Sequence, residues 1–412
     1  MDRLVIFLFI LMSYTGVSLM KIGKAMLTPF HASMGLMIAY VFIFAKKGKY
    51  NIQVSLFALI GYIVFINVMN FPNTRVTSVI YTVTFGIEYL ILYQLLLMVD
   101  KKTVIKGLTL IVFTHGINVL LGFLLSSIHA DFGQGIINVH HGVGGESGRP
   151  MGFSSEPSYA AFILSITFMA FNHLRGHKVD KLMIQMMVTY LVSIVFMKSV
   201  YGFIFVAVNG LDWFLILFKK LRFNIKVIFL LLGFGILFLV PLLLQNSNQE
   251  TVVRLREVSK VLSDSSLNTK DRMKRLQATD GSAYARIGPT YLLLNAKDDI
   301  KINLWFGAGA GAAGSFFAEF LSGILVDDAE KLDMGVIPAF VFDYGIIGTI
   351  LLFFFFVSTA YNLPLPFWVC IFLILPNCNI NTQIFWFTLT IYGYVSISKS
   401  GFVDNQREHL LS

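Results

Sequence analysis

Charged residues are scarce in this chain. Aspartate, glutamate, lysine and arginine make up 13% of its 412 residues, whereas hydrophobic residues make up 56% and aromatic residues 15%. An average soluble protein carries about twice that share of charge. The composition, together with a mean hydropathy of +0.73, argues against a soluble protein and predicts an integral membrane protein.

Cysteine is almost absent. Cys370 and Cys378 are the only two, and a spacing of eight residues along a straight helix separates them by roughly 12 Å. A disulfide requires the two Cα atoms to lie within about 7 Å. We therefore expect two apolar side chains that fill space, and no disulfide.

The sequence also lacks internal repeats, low-complexity tracts and a soluble domain, so we predict a single integral membrane domain over 1–412. Apolar runs long enough to cross about 30 Å of hydrocarbon recur along it. The first run has no small-residue cleavage site and is expected to be an uncleaved helix. The prediction is an all-α fold of about twelve transmembrane helices at 4–20, 25–45, 52–71, 76–99, 107–128, 157–172, 182–197, 199–218, 226–244, 334–358, 365–377 and 382–398.

The distribution of lysine and arginine predicts the orientation. Four short loops carry 13 basic residues, and the four short loops that alternate with them carry five. The first group comprises 46–49, 100–106, 173–181 and 219–226, and the second 21–24, 72–75, 129–156 and 198. We expect the first group and both termini to be cytoplasmic. Two outer loops follow, 129–156 and the large 245–333 between spans nine and ten.

The formal net charge of +9 reflects this topology. The basic residues are spread through loops and are not interleaved with aromatic residues that could stack on bases, so no nucleic-acid partner is predicted.

An isolated arginine, Arg149, precedes a well-defined helix start in RPMGFSSEPSYAAFIL (149–164). Ser154 or Ser155 can cap that helix, and Pro157 suits its first position. Exposed N–H groups and the helix dipole attract anions at such a start. An incidental arginine beside a capped helix is the alternative.

A second isolated arginine, Arg286, lies in the large outer loop, where Gly281, Ser282, Gly288 and Pro289 predict a turning backbone. If both arginines face the same side, they can converge on one anion. A guanidinium forms bidentate contacts with phosphate. Snorkelling, or pairing with a nearby aspartate, is the alternative.

The large outer loop has two parts. Apolar residues recur at helical spacing within the basic stretch 251–276, which predicts a helix lying on the membrane surface or a solvated helix packed on the bundle. The stretch 284–326 is apolar but interrupted, and we expect it to be half-embedded against the bundle. Its GAGAGAAG (307–314) formally fits GxGxxG, but no strand precedes it, so a dinucleotide site is rejected. Close backbone packing or a backbone approach to substrate explains it better.

Five ionisable residues lie inside predicted spans, where such groups mark functional sites by default: His31, Glu88, His115, Asp212 and Asp343. We expect Glu88 and His115 to form a buried pair that stabilises the bundle, and Asp212 to be interfacial.

Three further histidines lie in the outer loop: His129, His140 and His141. They lack the spacing of a metal site, and no metal is predicted there.

Three segments, in this order, resemble the O-antigen polymerase/ligase superfamily of Wzy-type polysaccharide polymerases. RPMGFSSEPSYAA (149–161) resembles the family's Arg-x-x-Gly-x-x-x-Glu-Pro-Ser loop. SAYARIGPTYLLLNAKDDIKINLWFGAGAGA (282–312) resembles a second block in which an arginine leads to a Gly-x-Gly stretch. DMGVIPAFVFDYGIIGTILLFF (333–354) resembles the closing span. With a dozen spans, the likeness covers nearly the whole chain.

The resemblance implies a metal-independent membrane glycosyltransferase of the GT-C type, without cofactor, in the bacterial inner membrane. Its substrate would be undecaprenyl-pyrophosphate-linked oligosaccharide repeats, polymerised into O-antigen, capsule or exopolysaccharide, with a chain-length-regulating protein as a possible partner besides membrane lipid. The resemblance also implies that Arg149 and Arg286, which match the arginines of the first two family motifs, bind the pyrophosphate between them. The residues expected to contact substrate are Gly152, Ser155, Tyr284, Gly309 and Gly311.

The chain departs from the pattern at one point. Many relatives have a histidine before the closing span, whereas Met334 stands here, and no histidine lies between His177 and His409. Asp333 and Glu156 are then the candidates for activating the acceptor hydroxyl. The missing histidine favours a polymerase over a ligase. A flippase or transporter is the alternative from another class, although polar groups gathered in outer loops rather than at the midplane disfavour it.

Overall fold

A computed structural model describes residues 2–22, 25–44, 53–127, 139–140, 148–220, 250–295, 303–312, 314, 319, 336–375 and 378–399. Within these ranges the chain is almost entirely helical. Its strands are two short antiparallel pairs. In one pair Met20 lies opposite Leu27, and in the other His140 lies opposite Arg149.

The elements are α1 (Asp2–Ser13), β1 (Met20–Ile22), β2 (Ala25–Leu27), α2 (Pro29–Ala32), α3 (Met34–Phe44), α4 (Val54–Met69), α5 (Val76–Met98), α6 (Lys101–Ser127), β3 (Val139–His140), β4 (Arg149–Pro150), α7 (Pro157–Leu174), α8 (Lys181–Met197), α9 (Val200–Lys220), α10 (Glu250–Ser263), α11 (Thr269–Thr279), α12 (Gly281–Asn295), α13 (Val336–Ala360), α14 (Leu365–Ile374) and α15 (Gln383–Lys399).

Four stretches of the described chain are long and apolar enough to cross a membrane: Val76–Met98, Lys101–Ser126, Tyr201–Phe218 and Ile337–Ala360. Helices α4, α8 and α14 are apolar but shorter. The prediction of an all-α multi-pass membrane protein is confirmed at this level. Helices lie within eleven of the twelve predicted segments, and segment 226–244 lies outside the described residues. The count of twelve spans stays a prediction.

The first two predicted spans differ from the observed helices. Helix α1 ends at Ser13, where Gly16 donates its N–H to the carbonyl of Phe153 at 2.8 Å. A side chain at Gly16 would lie 2.2 Å from the backbone of Ser154, so only glycine allows this close approach. The β1–β2 hairpin follows where the end of the first predicted span and the start of the second were expected to be helical. Helix α3 begins only at Met34.

Helix α7 is the central helix of the bundle. It packs against α6, α8, α9 and α15, and 15 of its 18 residues are buried. The small side chain of Ala161 lets Gly202 of α9 approach closely. One turn further along the same face, the Ser165 hydroxyl lies 3.0 Å from that of Tyr190 in α8. This packing fixes α7 along its whole length and so fixes both of its ends.

Helices α10, α11 and α12 form a separate three-helix unit. Its core contains Val258, Val261, Met273, Leu276, Tyr284 and Leu292, and it extends to Ala339 and Phe342 of α13. Of the two alternatives for 251–276, this favours the helix packed on its neighbours, because the apolar face is covered by protein. The turn predicted around Arg286 is wrong, since that residue lies inside α12.

Candidate functional site

A cavity of about 470 Å³ lies at one end of the bundle. It is formed where α1 ends and where α5, α7 and α15 begin, so segments distant in sequence meet there. Its walls carry one arginine, one histidine and many hydroxyl or amide groups. The lining residues are Thr15, Thr28, His31, Arg75, Thr77, Ser78, Tyr81, Phe85, Ser155, Tyr159, Asn381, Thr382, Gln383 and Ile384.

Arg75 is the cation of this cavity wall. It is the residue before the first turn of α5, and its side chain is exposed. Its backbone N–H donates to the carbonyl of Ala310 at 2.7 Å. A side chain at Gly311 would come within 2.9 Å of the Arg75 Cβ, so the arginine stem lies directly over this glycine. The glycine-rich segment thus directly supports the base of the arginine side chain.

The glycine-rich segment 307–311 is held by hydrogen bonds on both sides. Gly309 donates its N–H to the Asp343 carbonyl at 2.9 Å, and Ala310 donates to the Asn67 Oδ1 at 2.7 Å. Gly311 donates to the Asp343 Oδ2 at 3.2 Å. Gly307, Gly309 and Gly311 all have positive φ. The expectation of close backbone packing is therefore met, and substrate contact by Gly309 and Gly311 stays a prediction.

We predict that Gly345→Ala disrupts this segment. Gly345 has φ +67°, and a Cβ there would lie 2.3 Å from the Trp305 carbonyl oxygen. With ψ −173°, this conformation lies in a region essentially restricted to glycine and costs another residue on the order of 1–3 kcal/mol. A backbone clash that no rotamer can relieve adds to this cost. We expect a loss of about 2–4 kcal/mol, read as a fall in the unfolding temperature of the detergent-solubilised protein. The control is Gly210→Ala in α9, where nothing lies within 4 Å. That change should be neutral or slightly stabilising, and equal loss in both variants would contradict the clash.

His31 is held by a chain of hydrogen bonds in the cavity wall. Gln383 donates its amide N–H to the carbonyl of Met12 at 2.8 Å, which leaves its Oε1 as an acceptor. Thr28 donates its hydroxyl to that Oε1 at 3.0 Å. The Thr28 oxygen therefore accepts from the His31 Nδ1 at 2.6 Å. With the proton on Nδ1, Nε2 keeps its lone pair.

Helix α7 begins at Pro157, as predicted, but its cap differs from the expectation. Glu156 is the N-cap and forms no side-chain cap bond to the backbone. Instead Glu156 accepts a hydrogen bond from the Ser158 hydroxyl at 3.0 Å. The serine caps proposed from the sequence are wrong, because Glu156 occupies the N-cap position. Ser154 is buried and Ser155 faces the cavity. Within the described part of the chain, the N-cap residue makes no side-chain hydrogen bond to the start of α7, and this start lies at the cavity.

Of the other residues predicted in the first arginine loop, two lie away from the cavity wall. Arg149 is half-buried in β4, which packs on α6 and α8, and it is not among the lining residues. Gly152 has φ +59° and faces α6, where an added Cβ would lie 3.1 Å from the His115 Nδ1. The structure therefore brings Arg75, rather than Arg149, onto the wall with Ser155.

The residues predicted in the second arginine loop are described only in part. The side chain of Arg286 and the whole of Asp333 lie outside the described residues. Tyr284 is buried in the core of the three-helix unit, with 1% of its surface exposed. Packing accounts for Tyr284, and its predicted contact with substrate stays untested.

The ionisable residues of the spans have other partners than expected. Glu88 and His115 are both buried, but they do not pair: the His115 Nε2 lies 3.2 Å from the Ser13 hydroxyl. Both Glu88 carboxyl oxygens lack a hydrogen-bond partner in the described part of the chain. Asp212 is buried within the protein, and its predicted interfacial depth stays a prediction. Cys370 and Cys378 are buried and free, as predicted.

The three histidines of the predicted outer loop have no described side chain. His129 and His141, and the side chain of His140, lie outside the described residues.

Most of the residues that line the cavity were given no role in the site from the sequence, and Arg75 and Gln383 are the most important of these. Arg75 is the only basic residue of the short loop 72–75, which is the same isolation that drew attention to Arg149. Gln383 begins an apolar helix and carries no motif. No protein-family model matches this chain, and no curated protein or solved structure matches it.

Proposed function

We propose that this protein polymerises undecaprenyl-pyrophosphate-linked oligosaccharide repeats into a surface polysaccharide, by glycosyl transfer at the outer face of the bacterial inner membrane. The observation that carries this proposal is the cavity in which Arg75, the start of α7 and His31 meet. The three features serve one reaction that expels an anion and deprotonates a hydroxyl.

Arg75 and the start of α7 suit the leaving group. As the anomeric C–O bond breaks, negative charge develops on the lipid pyrophosphate. A guanidinium binds phosphate oxygens in a bidentate manner, and a helix start adds N–H groups and a positive dipole end. Such stabilisation of developing charge is commonly the largest catalytic contribution.

His31 suits the acceptor. The oxygen of the acceptor hydroxyl attacks the anomeric carbon, and its proton passes to the lone pair on the His31 Nε2. That nitrogen is buried and has no hydrogen-bond partner among the described residues, so the acceptor must displace the Tyr81 or Phe85 ring that packs on the imidazole. The hydrogen bonds through Thr28 and Gln383 hold the ring in the tautomer that this transfer requires. A histidine from the start of the chain would thus replace the one missing before the closing span.

The topology prediction agrees with this placement. The loops 21–24 and 72–75, the end of loop 129–156 and the segment before α15 are all expected on the outer side, and the cavity lies where the adjoining elements meet. The proposal keeps twelve spans in a GT-C-like arrangement with cytoplasmic termini. The proposal also retains two roles that the resemblance implies. Arg149 and Arg286 bind the pyrophosphate, and Glu156 or Asp333 activates the acceptor hydroxyl.

The test is glycan length in cells that lack their own gene and are complemented with this chain. We expect wild type to restore a ladder of long chains, and Arg149→Ala or Arg286→Ala to reduce it to single repeats at unchanged membrane abundance. Wild-type length from either variant would remove that arginine from the clamp. Deletion that leaves length intact but stops attachment would favour a ligase. No change in any glycan would favour a transporter.

A further inference from the structure

A cluster of two histidines and one aspartate lies at the far end of α7 from the cavity. His173 is in the last turn of α7, His177 follows three residues after its end, and Asp212 is in α9. The 18-residue helix separates this cluster from Ser155 and Tyr159 by roughly 25 Å. It therefore does not belong to the cavity described above.

The ligand atoms of the three side chains are close together. All lie within 4.8 Å of one another, and the His177 Nε2 lies 2.8 Å from the Asp212 Oδ2. Ligand atoms around a tetrahedral zinc ion at about 2.0–2.1 Å are roughly 3.3 Å apart. The observed spacing brackets that value, so small side-chain shifts would suffice.

The surroundings favour a divalent cation. Only 9% of the His177 side chain and 5% of the Asp212 side chain are exposed. The C-terminal end of a helix is its negative pole and attracts cations. The nearby guanidinium of Arg175 is bound by Asp180, and this hydrogen bond holds the pKa of Asp180 well below its usual value. The guanidinium between the two histidines is thus paired, and Lys178, which follows His177, is exposed to solvent.

The ring orientations are also fixed. His173 stacks on Phe367 of α14, with ring centroids 5.2 Å apart, and His177 meets the edge of Trp213 at 5.1 Å. His177 has φ +57°, a left-handed conformation that costs a non-glycine residue about 1 kcal/mol. Its N–H donates to the Asn172 carbonyl at 2.8 Å, which holds the strained turn in place.

We propose that His173, His177 and Asp212 form a binding site for a divalent transition metal ion such as Zn²⁺. Two imidazoles and one carboxylate are ligands that Zn²⁺ and its first-row neighbours accept, and three protein ligands leave a fourth position for water. The site clamps the end of α7 to α9. It is separate from the glycosyl-transfer chemistry, which stays metal-independent.

The test is metal binding by the full-length protein in detergent, purified with a tag that contains no histidine. Co²⁺ is added to chelator-treated protein and followed by visible absorption, and Zn²⁺ is then used to displace it. We expect one Co²⁺ per chain, displaced by one Zn²⁺. Zn²⁺ should also raise the unfolding temperature by a few degrees. Wild type that binds no Co²⁺ above background would overturn the proposal.

Two variants separate a metal site from a simple ion pair. His173→Gln leaves the His177–Asp212 pair intact but removes one ligand. Loss of a residue that only supports a ligand costs about 10–100-fold in metal affinity, so loss of a ligand itself should cost about 100-fold. Asp212→Asn should do the same. Asp271→Asn makes the same chemical change at an exposed position of α11, whose core is separate from that of α7 and α9. It should bind metal as wild type does. Unchanged affinity in His173→Gln, or equal loss in Asp271→Asn, would contradict the metal site.

Discussion

Arg75→Ala is expected to reduce the polymer to single repeats without lowering the amount of protein in the membrane. Loss of a preorganised group that stabilises a developing anion typically costs about 10²–10³-fold in rate. Because the Arg75 stem packs over Gly311, the unfolding temperature of the detergent-solubilised variant is measured as well, which separates a loss of activity from a loss of stability. The measurement is the initial rate of transfer with purified lipid-linked repeats, beside the glycan ladder in cells.

Two further variants make this prediction specific. Arg75→Lys keeps the charge but not the planar fork, and should recover little activity. Arg275→Ala removes an exposed arginine from α11, where its ion pair with Asp264 is 3.4 Å long and worth little. It should leave the rate unchanged. Full activity in Arg75→Ala would remove this residue from the leaving-group site, while full activity in Arg75→Lys would mean that charge alone suffices.

The spans and the start of α7 were predictable because their signals are local. Apolar length predicts a spanning helix wherever it occurs, and proline fixes a first helical turn at Pro157. The termination of α1 was less accessible, because it depends on Gly16 meeting the loop before α7, more than 130 residues later. Contacts of that kind leave no trace in a short window of sequence.

The error at Arg286 has the same origin. Gly281, Gly288 and Pro289 are turn formers by propensity, yet 281–295 is helical. Tyr284 and Leu292 are eight residues apart and both buried in the three-helix unit, so tertiary packing of one helix face outweighs the local preference. The cavity was missed for a related reason. Arg75 and Gln383 line the same cavity only because α5 and α15 pack together.

The pair His173 and His177 carried a signal that could have been recognised. His177 lies four positions after His173, and two histidines at i and i+4 are a spacing found in metal sites. The third ligand, Asp212, lies 35 residues beyond His177, and only the packing of α7 against α9 brings it close.

His31→Gln is expected to lower the transfer rate at saturating substrate by about 10²–10⁴-fold, the usual contribution of a general base. Glutamine keeps the polarity and much of the volume, but it has no nitrogen lone pair to accept the proton. Donor binding should be unchanged, because the pyrophosphate is assigned to Arg75 and the start of α7. The measurement compares kcat with the affinity for lipid-linked donor in the same detergent preparation.

Thr28 tests whether its hydroxyl orients His31. Because the same hydroxyl also caps α2, the unfolding temperature and the donor affinity are measured beside kcat. Thr28→Val keeps the shape but removes the hydroxyl between the His31 Nδ1 and Gln383, so the ring loses the bond that selects its tautomer and kcat should fall about tenfold or more. Thr28→Ser keeps the hydroxyl and the cap of α2, and should restore the rate.

If valine and serine behave alike, the hydroxyl does not orient His31. If His31→Gln weakens donor binding as much as it slows transfer, His31 shapes the cavity and does not take the proton. Only a loss confined to kcat, and rescued by serine at position 28, assigns the base to His31.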